Sequence, residues 1–342
     1  MKVCIFGAGA IGGYLGAGLA RTDHEVSLIA RGTHLRAMRE RGITVLKDGT
    51  SYTSRPNCTD DPAALGPQDY LIVTLKAHSV IDTVDAMRPL LGPNTTVVTA
   101  YNGIPYWYFH GVEGKLRNHV LESVDPGGRQ WEILKPERAV GCIVYPATEV
   151  VEPGVIKHVY GDKFPVGEPS GQITERLTAL SALIEEGGFK AGTLDSIRDE
   201  IWLKLWGNLC FNPISALTLA TLDIIAFDPD TRPVARAMME EARIIAEKLG
   251  VHFRVDVERR IDGAGKVGAH KTSMLQDLER NRPLEIDALI TVVQEMGRLT
   301  ETPTPTLDVV LALVRQRARV AGLYPPIELL KPAPKPAKIA AG

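Results

Sequence analysis

The chain has 342 residues, with 39 Lys and Arg against 41 Asp and Glu and a formal net charge of −2 at pH 7. Its 44% apolar and 23% charged residues are those of a globular protein long enough for two domains. The balanced charge offers neither the basic stripe of a nucleic-acid binder nor the basic cluster of a membrane-surface protein. The four cysteines, Cys4, Cys58, Cys142 and Cys210, are scattered without a CxxC pair. That argues against a disulfide framework or a thiolate zinc site and for a reducing, cytoplasmic location.

Lys2 is followed by an uncharged stretch from Val3 to Ala20 that superficially resembles a secretion signal. Its glycines, Gly7, Gly9, Gly12, Gly13, Gly16 and Gly18, would weaken a signal helix and instead fit a strand, a tight turn and a helix. Val3–Phe6 reads as that strand, with the helix running to about Ala20, and Glu25–Ala30 as a second strand. Tyr70–Leu75 (YLIVTL) and Thr96–Ala100 (TVVTA) are continuous apolar runs rich in β-branched residues, suited to strands buried on both faces of a parallel sheet. Alternation of such strands with helices predicts a doubly wound, Rossmann-type α/β domain. Ala139–Pro146 and Val155–Tyr160 are expected to extend its sheet, and a helix from about Ile173 to Glu186 and a short strand near Phe189–Ala191 to close it.

The pattern changes after Thr193. Ser196 followed by Asp199 resembles a capping box, and nearly everything beyond reads as helix, including Arg232–Leu249, Leu284–Leu299 and Leu307–Val320. The expected organisation is a dinucleotide-binding domain over 1–195, an all-helical domain over 196–324, and a flexible tail over 325–342 (PPIELLKPAPKPAKIAAG).

Gly7-Ala8-Gly9-Ala10-Ile11-Gly12 is a GxGxxG placed between a strand and a helix, the context in which the motif has meaning. Gly7 would permit the turn, Gly9 the approach of a pyrophosphate, and Gly12 close packing of helix on strand. The competing reading is a purely structural turn. At the end of the second strand, where NAD sites carry an acidic residue, stands Arg31. A guanidinium matches a 2′-phosphate, so NADPH is the expected cofactor; the alternative is a surface arginine. Lys76 and Asn102 also follow strands, where ligands of open α/β sheets bind. Singly they read as a solvated charge and as part of an Asn-Gly turn.

In Glu200–Asn212 (EIWLKLWGNLCFN) Lys204, Asn208 and Asn212 are spaced four apart. On a helix they form one polar seam in an otherwise apolar surface, which suits the wall of a cleft holding a polar ligand. An i,i+4 salt bridge between Glu200 and Lys204, with the asparagines satisfying backbone groups, is the alternative. The histidines, His78, His158 and His270 among them, follow no metal-ligand spacing, and no metal is expected.

Taken together these blocks resemble the ketopantoate reductase family: GAGAIG, Arg31, LKAHSV around Lys76, YNG around Asn102, KLWGNLCFNP around Lys204, SMLQDLERNRPLEID from Ser273 to Asp287, and TPTL, in order to about residue 307. The resemblance implies NADPH-dependent reduction of a 2-oxo acid, ketopantoate, in a cleft between two domains. It further implies Lys204 as catalytic lysine and general acid, Glu285 as its partner acid, and Ser273 as a contact for the substrate carboxylate. Asn208 and Asn212 would position Lys204 and the substrate's hydroxyl end, and Asn102 would bridge cofactor and substrate. Arg31 and Lys76 would serve the 2′-phosphate and adenine side. A homodimer is left open as the assembly, with no nucleic-acid or membrane partner. One position departs from the family: Leu222 stands where its best-known members carry an asparagine. That keeps two rivals in view, a reductase of another 2-oxo acid or imine, and an NADP-binding regulator without catalysis.

Overall fold

Strands that are apolar on both faces are stable only between two covering layers, and the first half of the chain builds that arrangement. The structure, a computed structural model, describes residues 1–326; the expected tail, but for Pro325 and Pro326, lies outside the described residues. In chain order the elements are β1 (Lys2–Phe6), α1 (Ala10–Leu19), β2 (Glu25–Ile29), α2 (Gly32–Arg41), β3 (Ile43–Lys47), β4 (Thr50–Ser54), β5 (Asn57–Thr59), β6 (Tyr70–Val73), α3 (Ala77–Thr83), β7 (Thr96–Thr99), α4 (Arg129–Leu134), β8 (Ala139–Cys142), β9 (Ala147–Glu152), β10 (Val155–Tyr160), β11 (Val166–Gly167), α5 (Glu175–Glu186) and β12 (Thr193–Leu194). An eight-stranded sheet runs β12-β11-β8-β7-β6-β1-β2-β5. From β5 to β8 it is parallel, and β11 pairs antiparallel to β8. β1 has β2 on one side and β6 on the other, so the winding reverses there and opens a crevice at the strand C-termini.

The expected doubly wound domain is present, with corrections. Val155–Tyr160 does not extend the main sheet. It forms β10 of a second sheet, β4-β3-β10-β9, pairing with β3 and β9. Only Ile156 of β10 is fully buried, which suits a sheet with one wet face rather than an interior strand. The β3–β4 hairpin that receives it is short, with Ile43 and Val45 buried, and was not anticipated. The strand expected near Phe189–Ala191 is an isolated bridge from Lys190 to Lys163, followed by β12.

α1 lies between the two sheets, which accounts for its glycines. A Cβ on Gly18 would lie 2.4 Å from the Phe189 ring and 2.6 Å from the Gly187 carbonyl oxygen. Packing, not helix propensity, therefore selects this residue.

The second half is helical: α6 (Ile197–Thr218), α7 (Leu222–Phe227), α8 (Thr231–Lys248), α9 (Val257–Gly265), α10 (Ser273–Glu279), a π turn at Asp287–Thr291, α11 (Val292–Leu299) and α12 (Pro305–Val320). Ser196 caps α6 by accepting from the Asp199 amide at 3.4 Å. α6 packs against α8, α10 and α12. Its Trp202 and Trp206, with Trp107 from the loop after β7, are fully buried. Each indole finds an acceptor, in Tyr108 Oη, the Met239 carbonyl and Thr99 Oγ1 respectively, as buried Trp requires. One apolar cluster joins Phe6 and Val73 of the sheet to Ile201 and Leu205 of α6, so the helical half is continuous with one sheet face. The expected helix Leu284–Leu299 begins later and with a π turn, a local widening frequent at functional sites. Ala288 in that turn accepts from the Ile104 amide at 3.1 Å, docking the turn on the Asn102-Gly103 loop. Among the described residues, no helix is long and apolar enough to cross a membrane, and no group of three or more His, Cys, Asp and Glu could hold a metal.

Gly18→Ala would stabilise α1 by about 1 kcal/mol on propensity alone. The contacts above predict instead a loss of about 1–3 kcal/mol, read from denaturant midpoints; an unchanged midpoint would contradict the packing argument.

Candidate active site

The turn between β1 and α1 is pinned by its amides. Gly7 and Ala8 donate to the Ile29 carbonyl at 3.2 and 2.8 Å. Gly7 has φ +110°, and a Cβ on Gly12 would lie 2.2 Å from the Gly7 carbonyl oxygen, so neither position accepts a side chain. Above Gly9 the space is open: a Cβ there meets nothing within 4 Å. No side chain caps the N-terminus of α1, leaving its amides and positive dipole end available to an anion. Gly7, Ala8 and Gly9 line a cavity of about 620 Å³ together with Arg31, Thr33 and His34, a size within the range of small-molecule and cofactor sites. Arg31 is exposed and sits between β2 and α2 as the residue preceding the helix. Asp60, on the same cavity wall, is engaged by Arg39 at 3.3 Å.

A second cavity, of about 600 Å³, adjoins the first. Ala10 and Ile11 of the glycine turn line it, as do Lys76, Asn102, Lys204, Asn208, Asn212, Leu222, Ser273 and Glu285. Residues separated by as many as 275 positions thus share one cleft between the sheet's C-terminal edge and the helical half. Lys76 is the exception to the expected grouping. It lines this cavity and not the one that holds Arg31, and is ion-paired with Asp277 of α10. The residues at the strand ends therefore line two cavities that share Leu75 and Arg282 as a common wall.

Lys204 points from α6 to the segment just after β8, donating to the Val144 carbonyl, with its Nζ 5.9 Å from the Tyr145 ring centroid. Burial pulls its pKa from 10.5 down to about 8, against opposing contributions from Cys142 and Glu285. The alternative salt bridge with Glu200 does not form. Glu200 accepts instead from Tyr145 Oη and from Arg254. Glu285 is buried and accepts from the Ala77 amide at 3.3 Å, at the start of α3. Burial raises its pKa, while Lys76 and the Ala77 amide oppose the shift. Glu285 and Lys204 face the same cleft and interact through space without a direct hydrogen bond. Asn212 Nδ2 donates to Ser273 Oγ at 3.4 Å, and Ser273 opens α10 just after its cap, Thr272.

The sequence reading missed Tyr145, Asp277 and Arg260, all on the cleft wall. Asp277 was within reach, lying inside the SMLQD block. Tyr145 and Arg260 carry no local signal: one sits in an irregular link between strands, the other on a short helix whose charges read as solvated.

Residues 3–171 match the family model described as ketopantoate reductase PanE/ApbA, and residues 196–318 match that of its C-terminal domain. A 2-dehydropantoate 2-reductase of Mesorhizobium japonicum is 54% identical over 327 residues, covering 95% of this chain and 100% of the relative. Among solved structures, one from Ralstonia solanacearum superposes with a TM-score of 0.90 at 41% identity, covering 94% of this chain and 99% of its own. The 2-dehydropantoate 2-reductase of Methylococcus capsulatus superposes with a TM-score of 0.80 at 27% identity, covering 94% and 98%. With both halves matched in order and Lys204 lining the same cleft as the glycine turn, the chain belongs to the ketopantoate reductase family.

Proposed function

We propose that this protein reduces ketopantoate (2-dehydropantoate) to pantoate with NADPH, with Lys204 as general acid. The observation that carries the reading is that Lys204, its amine held in a desolvated wall, lines the same cleft as Ala10 and Ile11 of the glycine turn. The open space over Gly9, the uncapped start of α1 and the size of the first cavity fit a dinucleotide. Arg31, free of a carboxylate at its strand end, fits a 2′-phosphate. When bound, the dinucleotide supplies the hydride.

The chain's own residues do the rest. Lys204, as ammonium, stabilises the charge that grows on the keto oxygen and then gives that oxygen its proton. A pKa near 8 makes it a stronger acid than a solvated lysine while leaving it mostly protonated at neutral pH. Glu285 supplies a negative charge that favours the protonated lysine, and the Lys76–Asp277 pair beside it holds the cleft wall in register. Asn102, Asn208 and Asn212 offer amide groups to the substrate and Ser273 a hydroxyl. The enclosing helices exclude water, which strengthens each of these interactions. The chain divides at about residue 195 in this reading, the first part holding the cofactor and the second the catalytic lysine.

Leu222 on the cleft wall favours a second reading, a 2-oxo acid lacking the hydroxyl of ketopantoate, since an isobutyl group forms no hydrogen bond. Measuring NADPH oxidation with ketopantoate beside smaller 2-oxo acids decides between the two. The first reading expects the highest kcat/KM with ketopantoate, and a clear preference for a non-hydroxylated acid would replace it.

Lys204→Ala is expected to lower kcat about 10²–10⁴-fold. In the wild type, kcat/KM should fall as pH rises through about 8, because the group lost there is the protonated Lys204. A profile flat to pH 9.5, on the order of 1.5 units beyond that value, would rule out the lysine as acid. Arg31→Ala should weaken NADPH binding about 10- to 100-fold while leaving NADH nearly unchanged, as read by fluorescence titration; equal loss for both would remove the 2′-phosphate assignment.

A further inference from the structure

Several charges on the cleft wall are ion-paired: Lys76 with Asp277, and Arg280 with Glu149 at 3.1 Å. Arg260 is not. α9 carries it over the face of α6, where a Cβ on Gly207 would lie 2.3 Å from its Nη2. Its Nε is buried without a hydrogen-bond partner. Its ionisable neighbours are Cys210 and Tyr145, and no carboxylate is among them. A guanidinium stays charged in proteins, and a desolvated charge without a partner is costly. The fold nevertheless clears space for it, placing Gly207, the residue of that turn of α6 without a Cβ, beneath the guanidinium.

The position is informative. At 100° per residue, Gly207 lies about 60° to one side of Lys204 and Asn208 about 40° to the other. Arg260 and the asparagine seam therefore flank the lysine, so a group bound by Arg260 sits beside the group bound by Lys204. In a 2-oxo acid the carboxylate is the neighbour of the keto carbon, and in ketopantoate it is the only formal charge. Ser273, hydrogen-bonded to Asn212, could contribute a neutral bond to it but leaves its charge unbalanced.

We propose that Arg260 binds the substrate's carboxylate through a guanidinium–carboxylate pair, making the cleft selective for an anionic 2-oxo compound. The proposal rests on the reductase reading and deepens it. Among the described residues no carboxylate pairs with this guanidinium and its Nε has no acceptor; the substrate carboxylate supplies both.

The test compares binding of pantoate and of its uncharged lactone to cofactor-loaded protein by calorimetry, for wild type, Arg260→Gln, Arg260→Lys and Gly207→Ala. Arg260→Gln should weaken pantoate about 10²-fold, the usual scale for truncating one partner of a buried charge pair, and leave the lactone within about threefold. Arg260→Lys should recover part of the loss. Gly207→Ala, whose methyl displaces the guanidinium, should repeat it. The melting temperature of Arg260→Gln should not fall, because an uncompensated charge has been removed. Equal weakening of acid and lactone, an unchanged affinity for pantoate, or a lowered melting temperature with general loss of binding would overturn the proposal and assign Arg260 to structure. If the wild type turns over another 2-oxo acid instead of ketopantoate, the substrate reading fails, while the same comparison of that acid's reduced product with its amide still decides the role of Arg260.

Discussion

The desolvation of one amine organises this molecule. Lys204 is anchored on a long helix whose other faces are filled by Trp202, Trp206, Leu205 and Leu209, so its position is fixed by the core rather than by a loop. Its head reaches the carbonyl of Val144 just past a sheet strand, spanning the join between the two halves. Burial weakens its hold on the proton, and Glu285 limits how far that goes.

The rest of the structure serves that contact. The winding of the main sheet reverses at β1, which puts the glycine turn at the crevice where the parallel strands end. α1 lies between two sheets only because its glycines permit the approach, and its uncapped start faces the ligand region. The Asn102-Gly103 loop is tied to the π turn that follows Glu285 by the Ile104 amide, which fixes the two segments side by side.

Charge is distributed with the same economy. Lys76 meets Asp277, Glu149 meets Arg280, and Glu200 is taken up by Tyr145 and Arg254. Among the described residues this leaves Lys204 and Arg260, with the exposed Arg282, as the cleft cations that no carboxylate neutralises directly. Two positive groups flanking a small polar space suit a substrate that is itself anionic and gains further negative charge as it reacts.

The sequence alone determined the elements whose signals are local: the glycine turn between an apolar strand and a helix, the buried parallel strands, the capped start of α6 and its polar seam. These depend on side-chain periodicity and backbone sterics within a few residues. The ordered blocks from GAGAIG to LEID also marked Arg31, Lys204, Asn212, Ser273 and Glu285. Tertiary structure decided what depends on distant partners. It moved β10 into a second sheet by giving it the β3–β4 hairpin, drew Lys76 to Asp277 rather than to the side of Arg31, and turned Glu200 from Lys204 toward Tyr145 and Arg254. It alone revealed Arg260, because whether a charge is paired is a property of the space around it, and no spacing along the chain records that.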